Sequence, residues 1–506
     1  MNESNCTKIV NFLKGMRLKT NPNLPGAKQK TPLNIHRFYL LLIIIIYTAT
    51  SACIYFDWTS IRNLLLNVGK YEHLNISKYA DITLSPQYKK INNLYPMTLA
   101  IHFTMSVFCG FLYDHIGPKF TAIIGQGFNI LSWIFLSIDT TKIDTTLIGF
   151  IFLGLGADTA FIPILTVSNL FPDISTFIMT VIGAAASLSY AVPATLNFVY
   201  KKYPHFPFYY ICYGYIFIIL IPCLLVATFL LPMKPFKGLD YYLENDQESD
   251  SKNKEQISYT DNDVEMQPSL IQNGNTNVSN NVNKNKATKN IIEGENFHKQ
   301  SILLFFKVLL SYPSICIIVY FILFNISTVF YGMVTDIYFS YNKSIINIIN
   351  ILMPISFIPC IIFGRFINKY GAAIIIIIMN AFSALMHLTA LIKHQAAGLI
   401  SAFLYMCAAS IYTSQIYCFL LNAFPSVVFG KLLGITSLFG GMFSLFCEKL
   451  YDNISNSSGN KNDPTTISIL LAISFIIMFL PLSILYTRNY EKNIESVNSE
   501  KNQIQA

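Results

Sequence analysis

Gly110-Phe-Leu-Tyr-Asp114-His-Ile-Gly117-Pro-Lys119 follows one apolar run of membrane-spanning length, and Gly364-Arg-Phe-Ile-Asn368-Lys-Tyr-Gly371 follows another. Both segments hold two glycines seven residues apart with a side-chain acceptor four residues after the first, and Gly364 trails Gly110 by 254 residues. A second pair keeps nearly the same register: Asn169-Leu-Phe-Pro172 and Asn422-Ala-Phe-Pro425 lie 253 residues apart. Two short motifs held in step over half the chain indicate a duplicated unit.

Outward from these motifs lie twelve apolar stretches, at 37–55, 94–113, 120–138, 147–170, 177–200 and 208–231, then 315–337, 345–363, 372–392, 397–421, 427–446 and 467–486. At a rise of about 1.5 Å per residue, about 20 helical residues cross the ~30 Å hydrocarbon layer, and each stretch reaches that length with few or no charges. The expected fold is an all-α membrane protein of two pseudo-symmetric six-helix halves. The expected divisions are a basic tail (1–36), a first bundle (37–233), a polar linker (234–300), a second bundle (301–487) and a closing tail (488–506).

Composition excludes other classes. Hydrophobic residues make up 53% and charged residues 12%, far from a soluble domain, where about a quarter are charged. The net charge of +8 is spread over loops and tails and forms no stripe beside stacking aromatics, so nucleic acid is not an expected partner. No P-loop, HExxH or GxSxG element is present, so neither an enzyme, an ATP-driven pump, a cofactor nor a metal centre is expected. The ten cysteines include no CxxC pair and read as small hydrophobes. Cys53 and Cys447, near the same ends of their spans, are the one pair weighed as a disulfide.

Lys and Arg are retained on the cytoplasmic side. The first tail carries Lys8, Lys14, Arg17, Lys19, Lys28, Lys30 and Arg37 against Glu3. It is expected inside, and an even number of spans brings the linker and the closing tail inside too. Residues 57–91 must then face outward, although they hold Arg62, Lys70, Lys78, Lys89 and Lys90. A plasma-membrane location follows more readily than an organellar one, because Pro22 and Leu24-Pro25-Gly26 break the long amphipathic helix a transit peptide would need. The linker, with runs such as Asn273-Gly-Asn-Thr-Asn-Val-Ser-Asn-Asn281, cannot bury enough surface to fold alone. It reads as a tether between halves that move against each other.

The loop motifs resemble those of the major facilitator superfamily, whose loop between the second and third helices has the pattern G-x-x-x-D-R-x-G-R-K/R. Gly110, Asp114, Gly117 and Lys119 match it, while His115 and Pro118 replace basic residues. Phe56-Asp-Trp-Thr-Ser-Ile-Arg-Asn-Leu-Leu-Leu-Asn67, Gly117-Pro118 and Ser168-Asn-Leu-Phe-Pro172 look like one branch of it, the facilitator-type large neutral amino acid transporters and the apicomplexan amino acid transporters. The resemblance covers all twelve spans but neither the tails nor the linker. It implies an inner gate formed by Gly110, Asp114, Gly117 and Lys119 and, in the second half, by Gly364, Asn368 and Gly371. A carboxylate such as Asp114 at a neighbouring helix N-terminus stabilises one packing by about 0.3 to 2 kcal/mol. Asn368 lacks the charge, so the second latch is expected to be weaker; the alternative is that both loops are merely tight turns.

Ionisable residues inside the spans are few. Asp158, in Gly154-Leu-Gly-Ala-Asp158, is the only acid near a span centre, and placing it there costs about 2.5 to 3.5 kcal/mol on insertion scales, so it should face a watery cavity or a partner. It either binds a substrate's amino group, takes up a proton, or packs against Ser or Thr of a neighbour. His102 is either a proton relay or a neutral core histidine. Asp336 is either an entrance site for cations or a solvated helix end. The resembled family lines its cavity with helices one, four, seven and ten, which here supply Ser51, Tyr331, Tyr412 and Gln415 as candidate substrate contacts.

The expected function is a secondary transporter moving amino acids by alternating access, working as a monomer in the lipid bilayer. A mid-membrane acid with no mid-span Lys or Arg to neutralise it favours cationic substrates such as arginine or lysine. The alternatives are a neutral amino acid facilitator, a proton-coupled carrier of another small solute, and a non-transporting nutrient sensor.

Overall fold

The computed structural model describes residues 20–74, 85–140, 142–238, 305–412, 414–424, 426–455 and 463–505. Most of the basic first tail, most of the linker and Lys78 lie outside the described residues, as do the side chains of Asn368 and Asn422.

The first half begins with α1 (Arg37–Ser51) and α2 (Trp58–Val68), followed by α3 (Pro86–Ser137) and α4 (Thr145–Phe161), which runs on into a 3-10 turn (Ile162–Leu170). Its remaining helices are α5 (Ser175–Leu188), α6 (Ala191–Lys202), α7 (Phe208–Tyr215) and α8 (Ile221–Leu230). The second half contains α9 (Tyr312–Tyr338), α10 (Lys343–Ile355), α11 (Phe357–Tyr370), α12 (Ala372–Ala390), α13 (Gln395–Ser410), α14 (Ser414–Ala423), α15 (Ser426–Ser444), α16 (Phe446–Ser455) and α17 (Thr465–Gln505).

Eight stretches are long and apolar enough to cross a membrane, and ten if the bent pairs Lys343–Ile355 with Phe357–Ile367 and Gln395–Ser410 with Ser414–Leu420 each count once. The 52-residue α3 turns at Gly117, as two spans would, and α1 is a shorter apolar helix continued by α2, an arrangement consistent with twelve crossings. Gly117 has φ 80° and ψ 171°, and Gly371, its counterpart in the repeat, has φ 87° and ψ 159°. The same reversal, in a region of backbone space that favours glycine, is thus made at matching points of the two halves.

One apolar core runs through both halves, and a smaller one forms where α1, the 3-10 turn and α8 meet. Outward-facing residues of α8 and α17, among them Leu225, Phe229, Ile477 and Leu480, remain exposed, as suits surfaces solvated by lipid. The halves meet along two seams, α3 against α15 and α5 against α11.

The first span departs from expectation. The helix stops at Ser51, six residues of irregular chain follow, and α2 then resumes as a buried helix where an outward loop was expected. Trp58 stacks on Tyr95 with ring centroids 5.0 Å apart, and Arg62 has no exposed surface. A break at this depth is tolerated because it is enclosed by protein. Cys53 and Cys447 are both free and buried, so the disulfide weighed for them is not present.

Of the basic residues that opposed the expected orientation, the four among the described residues are paired. Arg62 lies 3.0 Å from Asp336, Lys70 3.7 Å from Asp139, Lys89 2.8 Å from Asp452 and Lys90 3.4 Å from Asp144.

Candidate functional site

Asp158 lies one turn before the end of α4 and is buried. Its Oδ1 is 2.9 Å from His102 Nε2, and its Oδ2 accepts a hydrogen bond from Ser106 Oγ. His102 and Ser106 stand one turn apart on α3, so a single face of that helix supplies both partners. The other imidazole nitrogen, Nδ1, is hydrogen-bonded to the hydroxyl of Tyr55 from the break in the first span. The imidazole is stacked on Phe103, with centroids 4.9 Å apart, and meets the edge of Phe56. The sequence reading treated Asp158 and His102 separately; folding makes them one unit.

Cys53 brings a third donor type. Its Sγ, a His102 ring nitrogen and an Asp158 oxygen lie within 4.8 Å of one another. Cys109 Sγ donates to the Asp158 carbonyl at 3.5 Å. A carboxylate, an imidazole and a thiol converging between aromatic rings can receive a cation, an ammonium or a proton.

Tyr412 faces this cluster from the second half. It lies in the gap between α13 and α14, where the chain leaves helical geometry, and its ring packs on Phe56 at 4.9 Å and Phe324 at 5.4 Å. Its hydroxyl donates to Asn325 Oδ1. Gln415 accepts the Tyr320 hydroxyl at 3.0 Å. Tyr417 also lies within electrostatic reach of Asp158.

The other candidates go elsewhere. Ser51 Oγ donates to the Tyr47 carbonyl at 2.9 Å and accepts from Gln126 at 3.0 Å, a contact internal to the first half. Tyr331 shares a hydrogen bond of 2.6 Å with Ser401 and packs on Tyr405 and His387, inside the second half. Each of these polar groups thus has its partner within its own half.

Asp336 is not a solvated helix end. It is held by Arg62 and accepts the Tyr88 hydroxyl at 2.8 Å, while Arg62 Nη1 also donates to the carbonyls of Gly332 at 2.9 Å and Met333 at 3.2 Å. The outward loop expected here is instead a buried helix: α2 inserts Arg62, whose charge Asp336 balances. Together with Lys89–Asp452 and the Asn93–Glu448 hydrogen bond at 2.8 Å, this contact joins the halves on the side away from the N-terminus.

On the N-terminal side the glycine motifs have distinct surroundings. Gly117 is packed against the carbonyl of Met233, and Lys119 N–H donates to the Pro232 carbonyl at 3.2 Å. Gly110 and Asp114 are exposed, and among the described residues Asp114 has neither a hydrogen bond nor an ion pair. Gly364 lies against Thr180 at the α11–α5 seam, whereas Gly371 has open space around it.

With matching reversals in the two halves and a buried acid among the spans in place, the similarities to known proteins decide the family. The model of the Major Facilitator Superfamily matches residues 47–446. This chain belongs to the major facilitator superfamily. It is 67% identical to "Cationic amino acid transporter 8" of Plasmodium vivax over 97% of both chains. It is 30% identical to "Arginine transporter 1" of Toxoplasma gondii over 93% of this chain and 92% of that one. Among solved structures, a POT family transporter in complex with 5-aminolevulinic acid superposes with a TM-score of 0.58 at 13% identity, covering 92% of this chain and 99% of the other. At that identity the likeness concerns the facilitator fold alone.

Proposed function

We propose that this chain carries amino acids across a plasma membrane by alternating access, with preference for the cationic ones. The N-terminal side is then cytoplasmic. Asp158 accepts the substrate's cationic group, His102, Ser106 and Tyr55 orient that carboxylate, and Phe56, Phe103 and Tyr412 enclose the aliphatic part. The Arg62–Asp336 contact acts as the outer gate, and the Gly364–Thr180 seam belongs to the inner one. A single observation carries the reading: a buried carboxylate held by an imidazole and a hydroxyl, each of whose oxygens keeps a lone pair that a cation can use. The names of the two relatives, a cationic amino acid transporter and an arginine transporter, support the same substrate class.

Uptake of labelled arginine, lysine, leucine and glucose into oocytes expressing the chain tests it. Arginine and lysine should enter, leucine less and glucose not at all. Asp158→Asn should cut arginine uptake about tenfold or more, the range for losing a charged hydrogen bond. Preferred leucine uptake, or arginine flux surviving Asp158→Asn intact, overturns the reading.

The His102–Asp158 contact favours one addition, a proton moving with the substrate. External acidification should then speed arginine uptake in the wild type and leave the His102→Gln variant unchanged.

A further inference from the structure

The break in the first span holds a second buried acid that the preceding reading does not use. Asp57 is 1% exposed. Its Oδ1 accepts the Ser60 N–H at 3.4 Å, which caps α2, but its Oδ2 has no hydrogen-bond partner. A cap explains one oxygen only. A buried carboxylate oxygen left without a partner is costly unless something else fills the place.

The nearby cation does not fill it. Arg62 attracts Asp57 only at a distance and is committed to Asp336 at 3.0 Å. Arg62 and Asp336 balance each other, so Asp57 is left without a cation in contact with it. The groups around it are hydroxyls, beginning with the buried Ser60 side chain on α2 itself. Tyr405 lies within electrostatic reach of Asp57. Tyr95, stacked on Trp58 immediately after Asp57, is buried and its hydroxyl is unpartnered. Gly332 makes room for both rings: a Cβ there would lie 3.1 Å from the Tyr405 hydroxyl and 3.2 Å from the Tyr95 ring. Tyr55, two residues before Asp57 in the same break, is bonded to His102 and through it to Asp158.

We infer that Asp57, with Tyr95 and Tyr405, forms an ammonium subsite that receives the α-amino group of the substrate, while Asp158 receives the side-chain cation. Two buried carboxylates reached from one irregular segment match the two positive groups of a dibasic amino acid. A neutral amino acid satisfies only one of them, and selectivity for the dibasic class follows. This rests on the function proposed above.

The test uses Asp57→Asn and Asp57→Ser, since both residues cap helices as well as Asp but carry no charge. In oocytes, with surface expression measured, labelled arginine uptake is competed with unlabelled arginine or Nα-acetylarginine, which has no α-ammonium. The wild type should discriminate strongly against the acetylated compound. Both variants should raise the KM for arginine about tenfold or more and narrow the gap between the two competitors, and Tyr95→Phe should raise KM about threefold. Variants at the surface that keep the wild-type KM and discrimination overturn the inference, as does a parallel loss of affinity for both compounds. A purified wild-type chain gives the same contrast without any variant: arginine and agmatine should raise its melting temperature, and equal stabilisation by Nα-acetylarginine overturns the subsite. Absence of arginine and lysine uptake by the wild type would instead sink the proposed function itself.

Discussion

Arg62 Nη2 lies 3.0 Å from Asp336 Oδ2, and this pair ties the second segment of the broken first span to α9 of the opposite half. The guanidinium also stands over the Tyr88 ring, 5.1 Å from its centroid. Because Arg62 is fully buried, its free energy depends on Asp336 more than a surface pair would allow.

Removing the counter-charge should open this side. Asp336→Asn leaves Arg62 buried without its carboxylate, a loss of about 3 kcal/mol, at the lower end for buried pairs because Asp336 is partly exposed. A cysteine placed at Met333, buried in the present packing, should then react with an impermeant maleimide about tenfold faster or more. Unchanged labelling would show that the pair does not hold the halves together.

The seam between α5 and α11 on the N-terminal side should be equally sensitive. A Cβ added to Gly364 would lie 2.2 Å from Thr180 Cγ2, and forcing the helices apart costs about 1 to 3 kcal/mol. Gly364→Ala is expected to reduce transport severalfold at normal surface expression, and Thr180→Ala to restore part of it. Failure of the second substitution to rescue the first would place the defect elsewhere.

Matching glycines should respond unequally. Gly117 and Gly371 share a positive φ, yet a Cβ on Gly117 would fall 1.8 Å from the Met233 carbonyl while one on Gly371 meets nothing within 4 Å. Gly371→Ala should cost only the backbone strain, about 1 to 3 kcal/mol. Gly117→Ala should cost clearly more, read as a larger drop in melting temperature of the purified protein. Equal drops would mean that the α3 turn can move away from Met233.

Ser106→Ala removes a donor from Asp158 Oδ2 while leaving the His102 contact intact. A hydrogen bond to a charged group is worth about 1.5 to 3 kcal/mol, so the KM for arginine should rise about tenfold with little change in maximal rate. An equal fall in maximal rate with KM preserved would assign Ser106 to the conformational step.

The duplicated halves were legible because the reversals at Gly117 and Gly371 are local demands that only glycine meets cheaply. Asp158 was legible for a similar reason: a charge at a span centre is expensive and stands out against apolar neighbours. The break after Ser51 was not, since Ala52-Cys-Ile-Tyr-Phe-Asp57 contains neither Gly nor Pro, and the polar residues of α2 read as a loop. Arg62 looked solvated because its counter-charge sits in the other half of the chain. Ser51 and Tyr331 were chosen for lying on cavity-lining helices; their partners, Gln126 and Ser401, lie far along the chain and could not be read from helix position.

The pairings of Arg62 with Asp336 and Lys89 with Asp452 have a consequence for how the protein is made. On a translating ribosome both cations emerge long before their acidic partners exist. Until then the nascent first bundle carries unbalanced charge on the very surface it will press against the second. Each bundle is therefore an incomplete object by itself, and the membrane receives a finished carrier only when the later segments arrive to neutralise the earlier ones.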